Sequence, residues 1–175
     1  MAKSDTAANE AATADVARGY FDAVAARDPD AIAGWYEPGS IDRLVGMAEL
    51  RAPDEVREWF TSLFAAVPDF SFEVLDVIAE GDKAAVRWRS RGTFDGTGKF
   101  EGVAPTGAKL DVEGFDLLTV ANGKLVSNQA YVNGMDMARQ MGVMPAAGSL
   151  ADRAMLAAAN ARIAAADRVR GMLGR

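Results

Sequence analysis

The chain contains no cysteine and no histidine among its 175 residues. Without cysteine it cannot form a disulfide framework, a thiolate nucleophile or a zinc-thiolate site. Without histidine, Ser-His-Asp and Cys-His machinery and every histidine-ligated metal site are ruled out. Proton transfer near neutral pH therefore falls to a pKa-shifted carboxylate, a tyrosine, a lysine or solvent. Basic residues are in the minority, with Lys+Arg 19 against Asp+Glu 25 and a formal charge of −6. That balance offers no broad footprint for phosphate backbones, and nucleic acid is not an expected partner. No run approaches the roughly 20 apolar residues that span a bilayer, and the first residues lack the apolar core of a signal peptide. The expectation is a cytoplasmic protein with no membrane partner.

Half of the residues are hydrophobic. A single domain of this length buries roughly 70% of its unfolded surface, enough for a core and an internal pocket. Val16, Tyr20, Phe21 and Val24 recur at helical spacing and predict a first helix over residues 5–27. Asp28-Pro29 reads as a cap followed by proline at the first helical position, opening a short second helix that runs through Trp35-Tyr36 to a stop at Pro38-Gly39. Residues 41–46 read as a short strand. Pro53 and the acidic Asp54-Glu55 then open a third helix, with Val56, Trp59, Phe60, Leu63 and Phe64 on one side.

From Asp69 the period changes toward two, and turn signals at 80–82, 97–98, 105–107 and 121–123 separate four long strands. In residues 83–94, Ala84, Val86, Trp88, Ser90 and Phe94 share one face, and Arg87, Arg89 and Arg91 share the other. The arginine row is expected to point outward or into a partner. The next strand places Asp116 as the single carboxylate among Leu110, Val112, Gly114, Leu118 and Val120. A carboxylate there either accepts hydrogen bonds that fix the sheet or, desolvated, becomes a usable acid or base. In residues 125–135, alternation puts Ser127, Gln129, Tyr131 and Asn133 on one side and Val126, Asn128, Ala130 and Val132 on the other, unless a bulge shifts the assignment. A short helix follows over residues 135–141. Ser149 and Asp152 then form a capping-box variant opening a last helix with a stripe of Leu156, Ala159, Ile163, Ala166 and Leu173.

Gly96-Thr97-Gly98-Lys99 has the look of a phosphate loop, but Thr93 and Phe100 stand where that motif needs glycine and Ser or Thr. It reads as a hairpin loop. Trp35, Tyr36, Trp59, Phe60, Phe64, Trp88, Phe94 and Phe115 are read either as ordinary core or as the lining of a cavity for a flat or oily ligand. Asn128, Gln129, Tyr131 and Asn133 are read either as a solvated edge or as groups that orient a substrate.

The ordered set Gly92-Thr93, Gly102, Pro105-Thr106-Gly107, Gly114-Phe115-Asp116, Gly123-Lys124-Leu125 and Arg139-Gln140-Met141-Gly142 resembles the polyketide cyclase-like (SnoaL-like) branch of the NTF2-like superfamily. The resemblance implies an α+β cone: a curved mixed sheet, largely antiparallel, wrapped around N-terminal helices over residues 1–145. Residues 146–175 form an extra C-terminal helix that docks on the domain or on a partner protomer. It also implies a homodimer, and chemistry on a small hydrophobic, aromatic or polyketide-like molecule by a cyclase or isomerase without metal or cofactor. Aligned with the family, the usual acid/base aspartate falls at Asn133, the usual histidines at Phe94 and Asn128, and the usual tryptophan at Gln129. An asparagine is no general base. Asp116 is therefore the expected acid/base, with Asn133 and Tyr131 beside it and Tyr36, Trp59, Trp88, Phe94, Asn128 and Gln129 contacting substrate. The alternative is a non-catalytic ligand-binding or protein-interaction module of the same superfamily. The sequence shows no pair of pocket aspartates around an arginine of the kind an epoxide hydrolase would use.

Overall fold

A computed structural model describes residues 2–173. Its elements run in chain order α1 (Ala2–Ala25), α2 (Pro29–Gly34), β1 (Tyr36–Leu44), β2 (Ala48–Arg51), α3 (Asp54–Ala66), β3 (Ser71–Glu80), β4 (Lys83–Phe94), β5 (Ala108–Ala121), β6 (Lys124–Val132), α4 (Gly134–Gln140) and α5 (Leu150–Leu173). The six strands make one sheet in the order β2-β1-β6-β5-β4-β3. Only β1 and β6 pair in parallel; every other neighbouring pair is antiparallel. This is the expected α+β architecture, with the four long strands of the second half forming a meander.

The helices fill the concave side. Ala17, Tyr20, Phe21 and Val24 of α1 are buried against Ala84, Val86, Trp88 and Leu118 of the sheet, and Val56, Phe60 and Phe64 of α3 join the same core. Aromatic rings cross the boundary between helices and sheet. Phe21 stacks on Phe72 at 5.5 Å, and Phe72 tilts against Trp88 at 5.2 Å. Burying such rings removes roughly 150–250 Å² each from water, the largest single contribution per residue available to this core.

The second helix is shorter than expected. It ends at Gly34, Trp35 serves as its C-cap, and Tyr36 opens β1 instead of closing the helix. The reason is capture by the sheet: the Leu125 N–H donates to the Trp35 carbonyl at 2.9 Å, which turns the chain into register beside β6. The region read as one short strand is a hairpin, β1 with β2. Asp28 caps α2 through the Ala31 N–H at 3.0 Å, and Ser149 caps α5 through the Asp152 N–H at 3.1 Å, as their sequence positions require.

The arginine row faces outward. Arg87 pairs with Asp76 at 2.9 Å, Arg91 reaches Asp111 at 3.5 Å and Glu73 at 3.9 Å, and Arg89 pairs with Asp111 between them. These are exposed cross-strand pairs, screened by solvent and of little weight for stability. Helix α5 projects from the domain: every residue from Arg153 to Gly171 is exposed, including Leu156, Ile163 and Val169 of its apolar stripe. Its first turn is tethered by Asp152, buried and 3.4 Å from Arg139 of α4. Among the described residues, no helix is long and apolar enough to cross a membrane.

Candidate functional site

The site forms where β1, β6, β5 and β4 lie side by side beneath α1. The β5–β6 ladder shifts register between Thr119 and Val120, so that Val126 is an extra residue on β6. Bulges re-aim the side chains beyond them. Here the bulge lets Leu125 and Asn128 both point inward, with Ala130 and Val132 following on the same face. On β1, whose pairing with β6 is irregular between Tyr36 and Ile41, Tyr36 and Asp42 share the inner face. Asp42 and Asn128 are direct partners across the β1–β6 ladder, and Asp116 lies diagonally from Asn128 on β5.

The result is a buried polar chain inside an apolar core. Asp42, Asp116 and Asn128 are 2%, 3% and 1% exposed. The Tyr36 hydroxyl donates to Asp42 Oδ2 at 2.7 Å and lies 3.2 Å from the Tyr20 hydroxyl. Its one hydrogen is used on the shorter bond, which leaves its oxygen as acceptor for Tyr20. Asp116 receives two N–H donors, Trp88 Nε1 on Oδ1 at 2.7 Å and Asn128 Nδ2 on Oδ2 at 2.8 Å. Burial pushes the Asp116 carboxyl up to about 7; the Trp88 donor opposes the rise, the charge of Asp42 adds to it, and the Asn128 donor opposes it. Burial likewise pushes Asp42 up to about 6 against the pull of the Tyr36 hydroxyl and, after it, of the neighbouring Asn128 side chain. Both tyrosines are held well above the usual phenol range, chiefly by burial and then by the neighbouring Asp42. A desolvated carboxyl poised near neutrality is what acid-base chemistry requires of a chain without histidine.

This polar chain opens on a cavity of about 120 Å³ lined by Tyr20, Asp42, Asp116 and Asn128 at one end and elsewhere mainly by apolar and aromatic groups, among them Trp59, Phe60, Trp88, Phe94 and Phe100, with Ser90 and Arg91 of β4 also in the lining. An engineered cavity of about 150 Å³ in another protein holds one benzene, so the space here matches a single ring. The β4–β5 connection forms the far wall. Its Phe100 and Val103 exchange both backbone hydrogen bonds around Glu101 and Gly102, whose φ values of 49° and 79° give the two left-handed residues of a tight turn. Phe100 is thereby pressed edge-on against Trp59 at 5.2 Å, and the Trp59 indole N–H donates to Glu101 at 2.8 Å.

Of the residues expected at the site, Asp116, Trp88, Phe94, Asn128 and Trp59 line the cavity. Tyr36 stands behind it as the donor to Asp42. Gln129, Tyr131 and Asn133 are not part of it. Strand alternation carries Gln129 and Tyr131 to the outer face, where they bond to each other at 3.2 Å and Tyr131 is 44% exposed. Asn133 is used as the N-cap of α4, accepting from the Asp136 N–H at 3.1 Å. Sequence reasoning missed Asp42 and the hydroxyl of Tyr20. The cavity does hold two aspartates, although an asparagine rather than an arginine lies between them. The signal for Asp42 was its place between Ile41 and Leu44 in a short strand whose facing could not be assigned without its partner.

Replacing Tyr36 by Phe removes the donor to Asp42 and leaves a buried acceptor unmet. The expected loss is about 1–3 kcal/mol of unfolding free energy, read by urea titration at neutral pH. An unchanged midpoint would show that Tyr36 does not support Asp42.

The SnoaL-like polyketide cyclase profile matches residues 14–141. No curated protein sequence matches the chain. Among solved structures, a candidate SnoaL-like polyketide cyclase from Jannaschia sp. CCS1 superposes with a TM-score of 0.69 at 23% identity, over 78% of this chain and 96% of that one. AclR from Streptomyces galilaeus, described as a candidate hydroxylase, gives 0.68 at 23% identity over 93% of this chain and 98% of its own. The epoxide hydrolase/cyclase-like enzyme SalBIII, which has a role in pyran ring formation in the polyether salinomycin, gives 0.59 at 21% identity over 71% and 92%. At these identities the likeness is one of fold.

Proposed function

We propose, from the premise that the chain belongs to the SnoaL-like polyketide cyclase family, that it binds a small apolar ring-bearing molecule and moves a proton on it, as a cyclase or isomerase does, without metal or cofactor. One observation carries this reading: two buried carboxyls with raised pKa values face a predominantly apolar cavity. The site has the parts such chemistry needs. Asp42 and Asp116 supply an acid and a base, the Tyr36 hydroxyl holds Asp42 from behind, and the aromatic wall excludes water and aligns a flat ligand. Ring-closing aldol reactions and double-bond isomerisations both begin by removing a proton next to a carbonyl, and the proposal is for that step. The profile match and the ring-forming activity ascribed to SalBIII favour cyclisation over isomerisation.

The test needs no knowledge of the natural substrate. A panel of aromatic and cyclic ketones is incubated with the full chain in D2O, and exchange of the protons beside the carbonyl is followed by NMR. Exchange above the buffer background for at least one ring-sized ketone, lost in Asp116→Ala, is the expected result. No exchange and no ligand-induced thermal shift across the panel would overturn the reading.

A further inference from the structure

Two buried acceptors in this site have no hydrogen bond, Asp42 Oδ1 and Asn128 Oδ1. They belong to residues paired directly across the β1–β6 ladder, on the same inner face. Buried polar atoms without partners are costly, and two acceptors of this kind on directly paired residues point to one missing hydrogen. The groups that face the pair do not supply it: Tyr36 is used on Asp42 Oδ2 and Trp88 Nε1 on Asp116. Tyr20 lies beside Asn128 as well, but its one hydrogen is used on the Tyr36 oxygen. The residues that α3 contributes to the cavity, Trp59, Phe60 and Leu63, bring no charge, and Arg91 of β4, which also lines it, is paired with Asp111 and Glu73.

A proton on Asp42 would satisfy both orphans together, by donating from its carboxyl to the Asn128 amide oxygen. A mirror arrangement is equally complete. If the Asn128 amide is turned over, its oxygen meets Asp116 Oδ2 at the same 2.8 Å contact and its N–H groups meet Asp42. Asp116 then carries the proton. Oxygen and nitrogen of an amide are interchangeable in shape, so the hydrogen-bond pattern alone selects between the two. With all their surroundings counted, Asp116 is pushed up further than Asp42, which favours the proton on Asp116, whereas the Asn128 amide as placed, donating to Asp116, favours it on Asp42. Both orders hold if the two arrangements exchange.

We propose that Asp42, Asn128 and Asp116 share a single proton between the two carboxyls, and that the Asn128 amide turns over to follow it, donating to the ionised carboxyl and accepting from the protonated one. This rests on the acid-base reading of the cavity and assigns its parts. Asn128 is a positioning residue that keeps one carboxyl as acid and the other as base while the pair holds its single proton. In a turnover, the ionised carboxylate takes the proton next to the substrate carbonyl, and the C–H electron pair becomes the enolate. The other carboxyl gives its proton to the enolate oxygen, or to the alkoxide formed on ring closure. The pair ends with the same charge and the same proton count, in the mirror arrangement, and return of the proton between the carboxyls restores the first.

The test counts protons and needs no substrate, so it can fail while ligand binding and exchange stand, and the reverse. Full-length protein carrying 13C-carboxyl aspartate is followed at pH 6–7 by isotope-edited infrared spectroscopy, in the range where both carboxyls titrate. The wild type should show one protonated buried carboxyl. Asp42→Asn and Asp116→Asn should each show none, because the new amide supplies the missing hydrogen and leaves the surviving carboxylate with two donors. In the same two variants the side-chain amide resonance of Asn128 should fall at two different positions, with the wild type between them. A protonated band that survives in either single variant would mean that burial alone sets the titration, and the proposal is overturned. An Asn128 resonance common to both variants overturns it equally. Asn128→Leu should hold two protonated carboxyls, and if it fails to fold the two aspartate variants still decide.

Discussion

Asp116→Asn should be more stable than the wild type at pH 8 and inactive. The carboxyl is pushed from 3.8 to about 7 in the folded chain, chiefly by burial. A folded pKa raised above the unfolded one means that the folded state holds the proton more tightly. The associated stability is complete below about pH 4, where both states are protonated, and is lost as pH rises through about 7. By pH 8 the ionised group costs about 4 kcal/mol, since each tenfold change in proton affinity is worth roughly 1.4 kcal/mol. Asparagine has the same shape and no charge, and it can still accept from Trp88. The variant should therefore gain a few kcal/mol at pH 8, or about 5–10 °C in melting temperature for a chain of this size. It should gain nothing below pH 4. Proton exchange on a ketone substrate should fall by about 10²–10⁴, the usual contribution of a positioned base. An equal gain at both pH values would mean that the buried charge is not the source.

Gly114→Ala should be the most damaging one-carbon change in the sheet. Gly114 has no left-handed φ, so conformational freedom does not explain it. It is a notch. A methyl group there would lie 2.2 Å from Cζ2 of Trp88, the residue directly opposite on β4, whose ring crosses the gap to reach Asp116. Trp88 has little room to retreat, being held against Phe72 and bonded to the carboxylate. Overpacking costs about 1–3 kcal/mol, and loss of an N–H bond to a charged acceptor adds about 1.5–3. Chemical denaturation should show a loss of about 3–5 kcal/mol. The same change in a Trp88→Phe background should cost far less, because the benzo ring that clashes is gone. A strictly additive pair of variants would refute the notch.

Most of what the sequence disclosed is periodic. Alternation in β4 and β5 placed Trp88, Phe94 and Asp116 on the inner face, because a strand hydrogen-bonded on both sides has no other way to arrange its side chains. The motif order disclosed the family. What stayed hidden depends on departures from periodicity or on contacts between distant segments. The bulge at Val126 decides that Asn128 and Leu125 face the same way, and no local residue type announces it. Asp42 became a site residue only when β1 paired in parallel with β6, far away in the chain. Tyr20 matched the apolar stripe of α1 so well that its hydroxyl went unread; its role depends on Tyr36 arriving from another element. Asn133 shows the opposite error. An alignment position was given a catalytic meaning, whereas the local signal, Asn three residues before an acidic helix start, was that of a cap.

The outward course of α5 sets it apart thermodynamically from the domain it extends. From Arg153 to Gly171 no side chain is buried, so this segment draws on helix propensity alone, supplied by eight alanines in nineteen residues. Isolated helices below about 12–15 residues are marginal in water, and one only slightly longer still unwinds gradually with temperature, fraying from its ends. The cone below unfolds as one cooperative unit held by its core. One chain therefore contains two kinds of melting, a broad helix–coil transition and a sharp one, and the far-ultraviolet ellipticity of the intact chain should slope well before the packed aromatic rings report any change.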